Sequence, residues 1–200
     1  MKLNVAESPT TGAPDWCVAE MPPGYQNRFE EIQRLTADLR AMDQTGRLLW
    51  ATGDPLQEAV RDVFAALGYD VASTGDDPAD IAVRLDNQRR LLFHISSQDA
   101  IVEKKSDELA RVFDLLHRQA GERDRVALVA DCDRGSRPAD RPDPVSPDAV
   151  AFAQRMGVNV VKTHALFKLW RISLVDQNRA RTIVDRLHAQ DGGAVDMPTS

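Results

Sequence analysis

Cysteine is scarce in this 200-residue chain: Cys17 and Cys132 are its two. They stand far apart and match neither a disulfide framework nor a metal-ligand spacing, so the expectation is a reducing, cytoplasmic setting. Long apolar runs are missing as well. No stretch supplies the roughly 20 apolar residues of a membrane helix, and the polar start "MKLNVAESPTTGAP" lacks the apolar segment of a signal peptide. No membrane partner is expected. A Gly-rich phosphate loop, a Ser–His–Asp spacing, a Cys/His metal cluster, internal repeats and low-complexity tracts are all missing too.

What is there fits one globular domain with an appendage: 42% of residues are hydrophobic, 28% are charged, and the net charge is -6. An acidic balance argues against sequence-independent binding of nucleic acid, which runs on phosphate neutralisation, but leaves room for a local basic face.

Residues 1–25, rich in Pro, Thr, Ser and Gly, read as a flexible arm. Residues 26–46 read as one amphipathic helix, with Phe29, Ile32, Leu35, Leu39 and Met42 at spacings of three and four. A helix of this length requires a partner surface. Two are open: its own domain, or the same helix of a second copy, since Ile32, Leu35, Leu39 and Met42 suit a short coiled-coil seam and hence a homodimer.

The main domain is read over residues 48–190, ahead of a disordered tail at 191–200. "GDPLQEAVRDVFAALG" is a helix, with Asp54 placed to cap it, Pro55 in its first turn, Gln57 completing a capping box and Gly68 ending it. Leu56, Val60, Val63, Phe64 and Leu67 form its apolar stripe. Three strands follow, "YDVAS", "ADIAVRL" and "RLLFHIS", the last two joined by the polar connection "DNQR". Then come a helix with Leu109, Val112, Phe113 and Leu116 inward, the buried-type strand "RVALVAD", and a loop rich in Pro and charge. A helix "DAVAFAQRMG", a strand "VNVVKT" and two further helices close the chain. This order predicts an α/β fold, a mixed sheet with helices on its faces. Trp50 and Trp170 are expected in the core. In the loop at 131–146, Arg134, Arg137 and Arg141 are balanced by Asp131, Asp133, Asp140 and Asp143, which predicts a salt-bridged surface loop.

One strand departs from a plain core pattern. In "RRLLFHISSQD" the apolar residues Leu91, Phe93 and Ile95 alternate with positions that carry His94 and Ser96 on the other face. With "LLWATGDPLQEAVRDVFAALGYDV", "ADIAVRLDNQRR" and the closing "RVALVADCDRGSRPADRPDPVSPDAVAFAQRMGVNVVKTHALFKLW", this stretch resembles the restriction-endonuclease-like PD-(D/E)xK nuclease superfamily over residues 48–175. The resemblance implies a restriction-endonuclease-like sheet. Active members of that superfamily carry an acid at the start of the second strand and an acid-x-lysine triplet on the third. The carboxylates hold Mg²⁺, which polarises the phosphate and activates water, and the lysine stabilises developing negative charge.

Transferred by the resemblance, Asp80 matches the first acid, His94 stands in place of the second, Ser96 in place of the lysine, and Glu58 matches an acid of the first helix. The helical glutamine of the family is missing, with Ala110 or Arg111 about there. Mg²⁺ binds imidazole poorly, and a serine hydroxyl carries no positive charge. The resemblance therefore implies a catalytically inactive relative with a vestigial site at Asp80, His94, Ser96 and Glu58. No catalytic residue, metal or cofactor is expected, and the role becomes binding of nucleic acid or a protein in DNA processing or defence.

Two alternatives stand beside it. A rearranged nuclease would use Mg²⁺ or Mn²⁺ with Asp80, Glu58 and Lys104 or Lys105, or a transition metal held by Asp80, His94 and Glu58. A structural subunit of a larger assembly is the other. His94 hydrogen-bonded to Asp80 or Glu58 is the plain structural account of the histidine. For a nucleic-acid partner the candidate contacts are Lys104, Lys105, Lys162, Lys168 and Arg171; residues 162–186 also hold Arg179, Arg181 and Arg186 against Asp176 and Asp185.

Overall fold

The computed structural model describes residues 16–73 and 80–195. Its contacts divide the chain into two units, residues 1–44 and 45–200. In the first, a short helix α1 (Trp16–Ala19) falls within the stretch expected to be a flexible arm, and α2 (Tyr25–Gly46) is the expected amphipathic helix, running into the second unit. Ile32, Leu35, Leu39 and Met42 are each about half exposed on α2.

The second unit is an α/β structure around a six-stranded mixed sheet in the order β1-β2-β3-β4-β5-β6. A 3-10 turn (Arg47–Leu49) leads to α3 (Asp54–Ala66). β1 (Asp70–Ser73), β2 (Asp80–Arg84) and β3 (Arg90–Ile95) form an antiparallel meander. The β2–β3 connection is held by the Asp86 carboxylate, which accepts the backbone N–H of Gln88 and of Arg89 at 2.8 Å each. From β3 onward the strands are parallel: α4 (Asp107–Gln119) leads to β4 (Arg125–Ala130), and α5 (Pro147–Arg155) to β5 (Val158–Lys162). α6 (Thr163–Ser173) and α7 (Gln177–Ala189) return the chain to β6 (Gly193–Ala194), which pairs with β5. The segment at 191–195, expected to be a disordered tail, thus adds an edge strand; residues 196–200 lie outside the described residues. Among the described residues no helix is long and apolar enough to cross a membrane.

The sheet is buried on both faces by the two alternating side-chain sets of its strands. Leu91, Phe93 and Ile95 pack with Ala127, Val129 and Val161 against α3, α6 and α7. Leu92 packs with Val126, Leu128, Val158 and Val160 against α4 and α5. Each fully buried Leu, Ile, Val or Phe contributes on the order of 1.5–3 kcal/mol, and both layers are built almost wholly from such residues.

Local departures from expectation have plain causes. α3 starts one residue early: Gly53, with φ 60°, occupies the cap position and no side chain caps the helix, so Asp54 and Gln57 form no capping box. Gln57 is instead 7% exposed. Gly68, with φ 82°, does end this helix in the left-handed conformation that glycine tolerates. On α4, Leu115 rather than Leu116 completes the fully buried stripe. Trp170 packs against the core, whereas Trp50 is 63% exposed.

Candidate functional site

The register of the β2–β3 hairpin sets the site. Asp80 pairs directly with His94 across the two strands, so both side chains leave the sheet on the same face. That face also carries Leu92 two residues before His94, and it is the face that α4 covers. His94 is therefore fully buried, and Ser96 is 1% exposed. The two polar residues do lie opposite the Leu91–Phe93–Ile95 layer, as alternation requires, but they are sealed under a helix rather than open in a cleft.

Two carboxylates meet the imidazole. The Asp80 carboxylate lies 2.6 Å from His94 Nδ1, and the Glu108 carboxylate lies 2.6 Å from His94 Nε2. The nearby Ser96 hydroxyl favours the ionised form of Glu108. Glu108 sits in the first turn of α4, where the helix N-terminus favours negative charge. Burial on its own would depress the histidine pKa; the hydrogen bonds and charges of Asp80 and Glu108 outweigh it and lift the value from 6.5 to about 9. Burial likewise tends to raise the Glu108 pKa, but His94 and Ser96 win and hold it below its usual value. At neutral pH the arrangement is an imidazolium clamped between two carboxylates, with a proton on each ring nitrogen. Such a ring has no lone pair to give a metal. Among the described residues no group of three or more His, Cys, Asp or Glu is disposed to hold a metal ion.

The other residues singled out in the sequence lie elsewhere. Glu58 is on α3, which packs on the opposite face of the sheet; its side chain is 64% exposed and pairs with Arg47 at 3.4 Å. The second acid at His94, beside Asp80, is thus Glu108, not Glu58. Lys104 is exposed, with its ammonium 5.2 Å from the centre of the Phe152 ring on α5, and Lys105 is exposed beside it. Lys162 ends β5 and pairs with Asp143 at 2.5 Å; Lys168 and Arg171 follow on α6.

Glu108 had a signal in the sequence. It stands four residues before Val112 and so shares the buried stripe of α4 with Val112 and Leu115. A carboxylate on an apolar stripe must find a partner, and the partner is on the strand that precedes the helix.

A second buried polar cluster lies at the ends of β4 and β5. Asp131 accepts hydrogen bonds from the backbone N–H of Cys132 at 2.9 Å, from Arg141 at 2.9 Å and from the Thr163 hydroxyl. Arg141 also donates to the carbonyls of Leu49, Arg134 and Ser136. Arg134 donates to the Ala51 carbonyl, and its own N–H is taken by Asp99. Asp131, Arg134 and the Arg141 side chain are all nine-tenths or more buried. This half of the loop at 131–146 is an internal network tying the loop to residues 49–51 and 99, not a solvated surface segment. The Asp131–Arg141 pair, expected on the surface, is buried, with side chains 4% and 5% exposed.

Comparison of the chain with known protein families, with characterised proteins and with solved structures finds no match.

Proposed function

We propose that this chain is a restriction-endonuclease-like protein whose metal centre has been replaced by an internal ion pair, and that it acts by binding rather than by cutting. The observation that carries the reading is the position of His94. It stands where the superfamily places its second metal-binding acid, and its ring is shared between Asp80 and Glu108 at 2.6 Å on both sides. The imidazolium neutralises carboxylates that a divalent cation would otherwise neutralise. Ser96, in place of the lysine, is uncharged and supplies no positive charge for a phosphorane. The helix–meander–helix–strand order supports the same reading. So do Glu58 and Lys104, each engaged away from His94.

The partner that fits the basic stretch from Lys162 through Lys168 to Arg171 is a nucleic acid, in a DNA-processing or defence setting, with a homodimer formed through α2. The test is a cleavage assay with Mg²⁺ and with Mn²⁺ on single- and double-stranded substrates. No metal-dependent cleavage is expected; cleavage that Asp80→Ala abolishes would overturn the proposal. Labelled DNA and RNA titrated at two salt concentrations test the partner, since phosphate contacts weaken steeply as salt rises. No binding even at low salt would remove nucleic acid as the partner.

A further inference from the structure

The two parallel strands at the centre of the second polar cluster send the chain to opposite faces of the sheet. β4 leads to α5, whose Ala149 and Ala153 pack in the Leu92 layer. β5 leads to α6, whose Leu166 and Leu169 pack in the Phe93 layer. Neighbouring parallel strands with diverging connections leave a crevice at their carboxyl ends, which is where open α/β sheets take ligands. Here the crevice is a cavity of about 730 Å³, well inside the roughly 300–1,000 Å³ of small-molecule sites.

Its walls differ in character. The loop wall is apolar and stiff, built from Pro138, Pro142, Pro144 and Val145, and α5 continues it with Val150 and Ala151. The opposite wall is cationic. Lys162 stands immediately before α6, and His164 and Lys168 are four residues apart on that helix, hence on one face of it. The floor carries Asp131 and Arg141, whose charges are spent on each other and on Thr163, Cys132 and backbone carbonyls. That leaves two lysines and the N-terminal end of an 11-residue helix facing the space. The one acid paired with them, Asp143, holds Lys162 in an exposed bridge, with side chains 80% and 50% accessible. Exposed pairs of this kind are worth little and give way to a stronger anion.

We propose that this cavity binds a small organic phosphate. Lys162 and Lys168 hold the phosphate at the start of α6, and the body of the ligand lies on the proline-rich wall. This site is separate from the His94 triad and does not depend on that triad being a lost metal centre; it shares Lys162 and Lys168 with the basic stretch proposed to meet nucleic acid. His164 senses the same field: burial first, then Lys168, lowers its pKa, with Arg141 and Lys162 adding and Asp131 opposing. A phosphate seated among these groups reverses the balance and draws a proton onto His164.

The probe is adenosine monophosphate, titrated into the full chain by calorimetry, with adenosine and inorganic phosphate as separate arms. The nucleotide is expected to bind with a sub-millimolar Kd, and each fragment at least about tenfold more weakly. Lys162→Met and Lys168→Met are each expected to weaken the nucleotide about tenfold, the value of one charge-assisted hydrogen bond. Ala151→Trp, which fills the cavity from an exposed position on α5, is expected to abolish binding with an unchanged circular-dichroism melt. The His164 ring signals in NMR are expected to titrate at higher pH with the nucleotide present than without it. Absence of nucleotide binding at millimolar concentration overturns the proposal, as does binding undiminished in both lysine variants. Inorganic phosphate binding as tightly as the nucleotide overturns it too, since the apolar wall then contributes nothing.

Discussion

His94 Nε2 and the Glu108 carboxylate lie 2.6 Å apart, one on a central strand and the other in the first turn of the helix that follows it. Both side chains are at most 5% exposed. The contact closes the crossover from the antiparallel to the parallel half of the sheet with a charge pair. It also completes a chain of three charges, carboxylate–imidazolium–carboxylate, that carries one net negative charge.

Breaking a buried pair from one side leaves an uncompensated charge and costs about 3–5 kcal/mol. Glu108→Ala strands His94 with Asp80 alone in a sealed site and is expected to lose at least ~3 kcal/mol, a fall in Tm of roughly 6–12 °C for a chain of this size. Urea unfolding followed by circular dichroism measures it. A loss below ~1 kcal/mol would show that the triad is not the buried ion pair described here.

The same triad makes stability depend on pH. The His94 pKa is 6.5 unfolded and about 9 folded, so its stabilisation is complete below 6.5 and disappears as pH rises through 9. The full swing is on the order of 3 kcal/mol. Burial raises the Cys132 pKa above 9.0, which adds its own loss of stability on the alkaline side of that value. The comparison is therefore made between pH 6.5 and 9, where the native chain should weaken with pH and His94→Gln should stay level. Glu108 works on the acid side: its pKa is lowered from 4.5, so its contribution is present above 4.5 and fades as pH falls through the folded value. An NMR titration placing the His94 ring near its unperturbed pKa would contradict the alkaline prediction.

His94→Glu sets a third carboxylate between Asp80 and Glu108 and removes the imidazolium that compensates them. Hard divalent cations favour such an all-oxygen set. The variant is expected to be destabilised on its own and to recover Tm when Mn²⁺ is added, by about 2.7 kcal/mol at a hundredfold excess over Kd. The native chain is expected to show no such metal-dependent stabilisation. Equal Mn²⁺ responses in the two proteins would sink the substitution of a cation by His94.

Arg141 is the hub of the loop network, donating to Asp131 and to three backbone carbonyls. Lysine keeps its charge but not the planar fork that reaches several acceptors at once. Arg141→Lys is expected to cost about 2–3 kcal/mol, because buried acceptors are left bare. Arg47→Lys, in an exposed pair with Glu58, should change stability by less than ~0.5 kcal/mol. Chemical denaturation of the two variants side by side checks the contrast.

Leu35→Glu with Leu39→Glu tests the role assigned to α2. Both residues are about half exposed on that helix, and charges in a coiled-coil seam are repelled from an apolar partner. The native chain is expected to sediment as a dimer and the double variant as a monomer. An unchanged sedimentation coefficient would refute the homodimer.

Much of the site was legible in the alternation of one strand. Leu91, Phe93 and Ile95 against Leu92, His94 and Ser96 is a period of two, and a period of two assigns faces without further information. Asp80 was assigned through the resemblance, and the register of the hairpin places it directly opposite His94. Glu108 has no counterpart in the resemblance that pointed to the other site residues, although its place four residues before Val112 puts it on the buried side of α4. Glu58 was assigned to the site by resemblance alone, and the face of the sheet on which α3 packs takes it elsewhere.

By itself the sequence determined the elements from α2 to α7 and their order, since apolar periodicity and turn residues are local properties of the chain. It also determined that His94 and Ser96 leave β3 opposite the Phe93 layer. Only the tertiary structure decided that α4 closes over them, that Glu108 is the second carboxylate, and that the charges of Asp131 and Arg141 cancel in the interior. It also decided that 191–195 returns as an edge strand. These outcomes rest on contacts between residues far apart in the chain, or on which face a helix covers, and neither is encoded in local spacing.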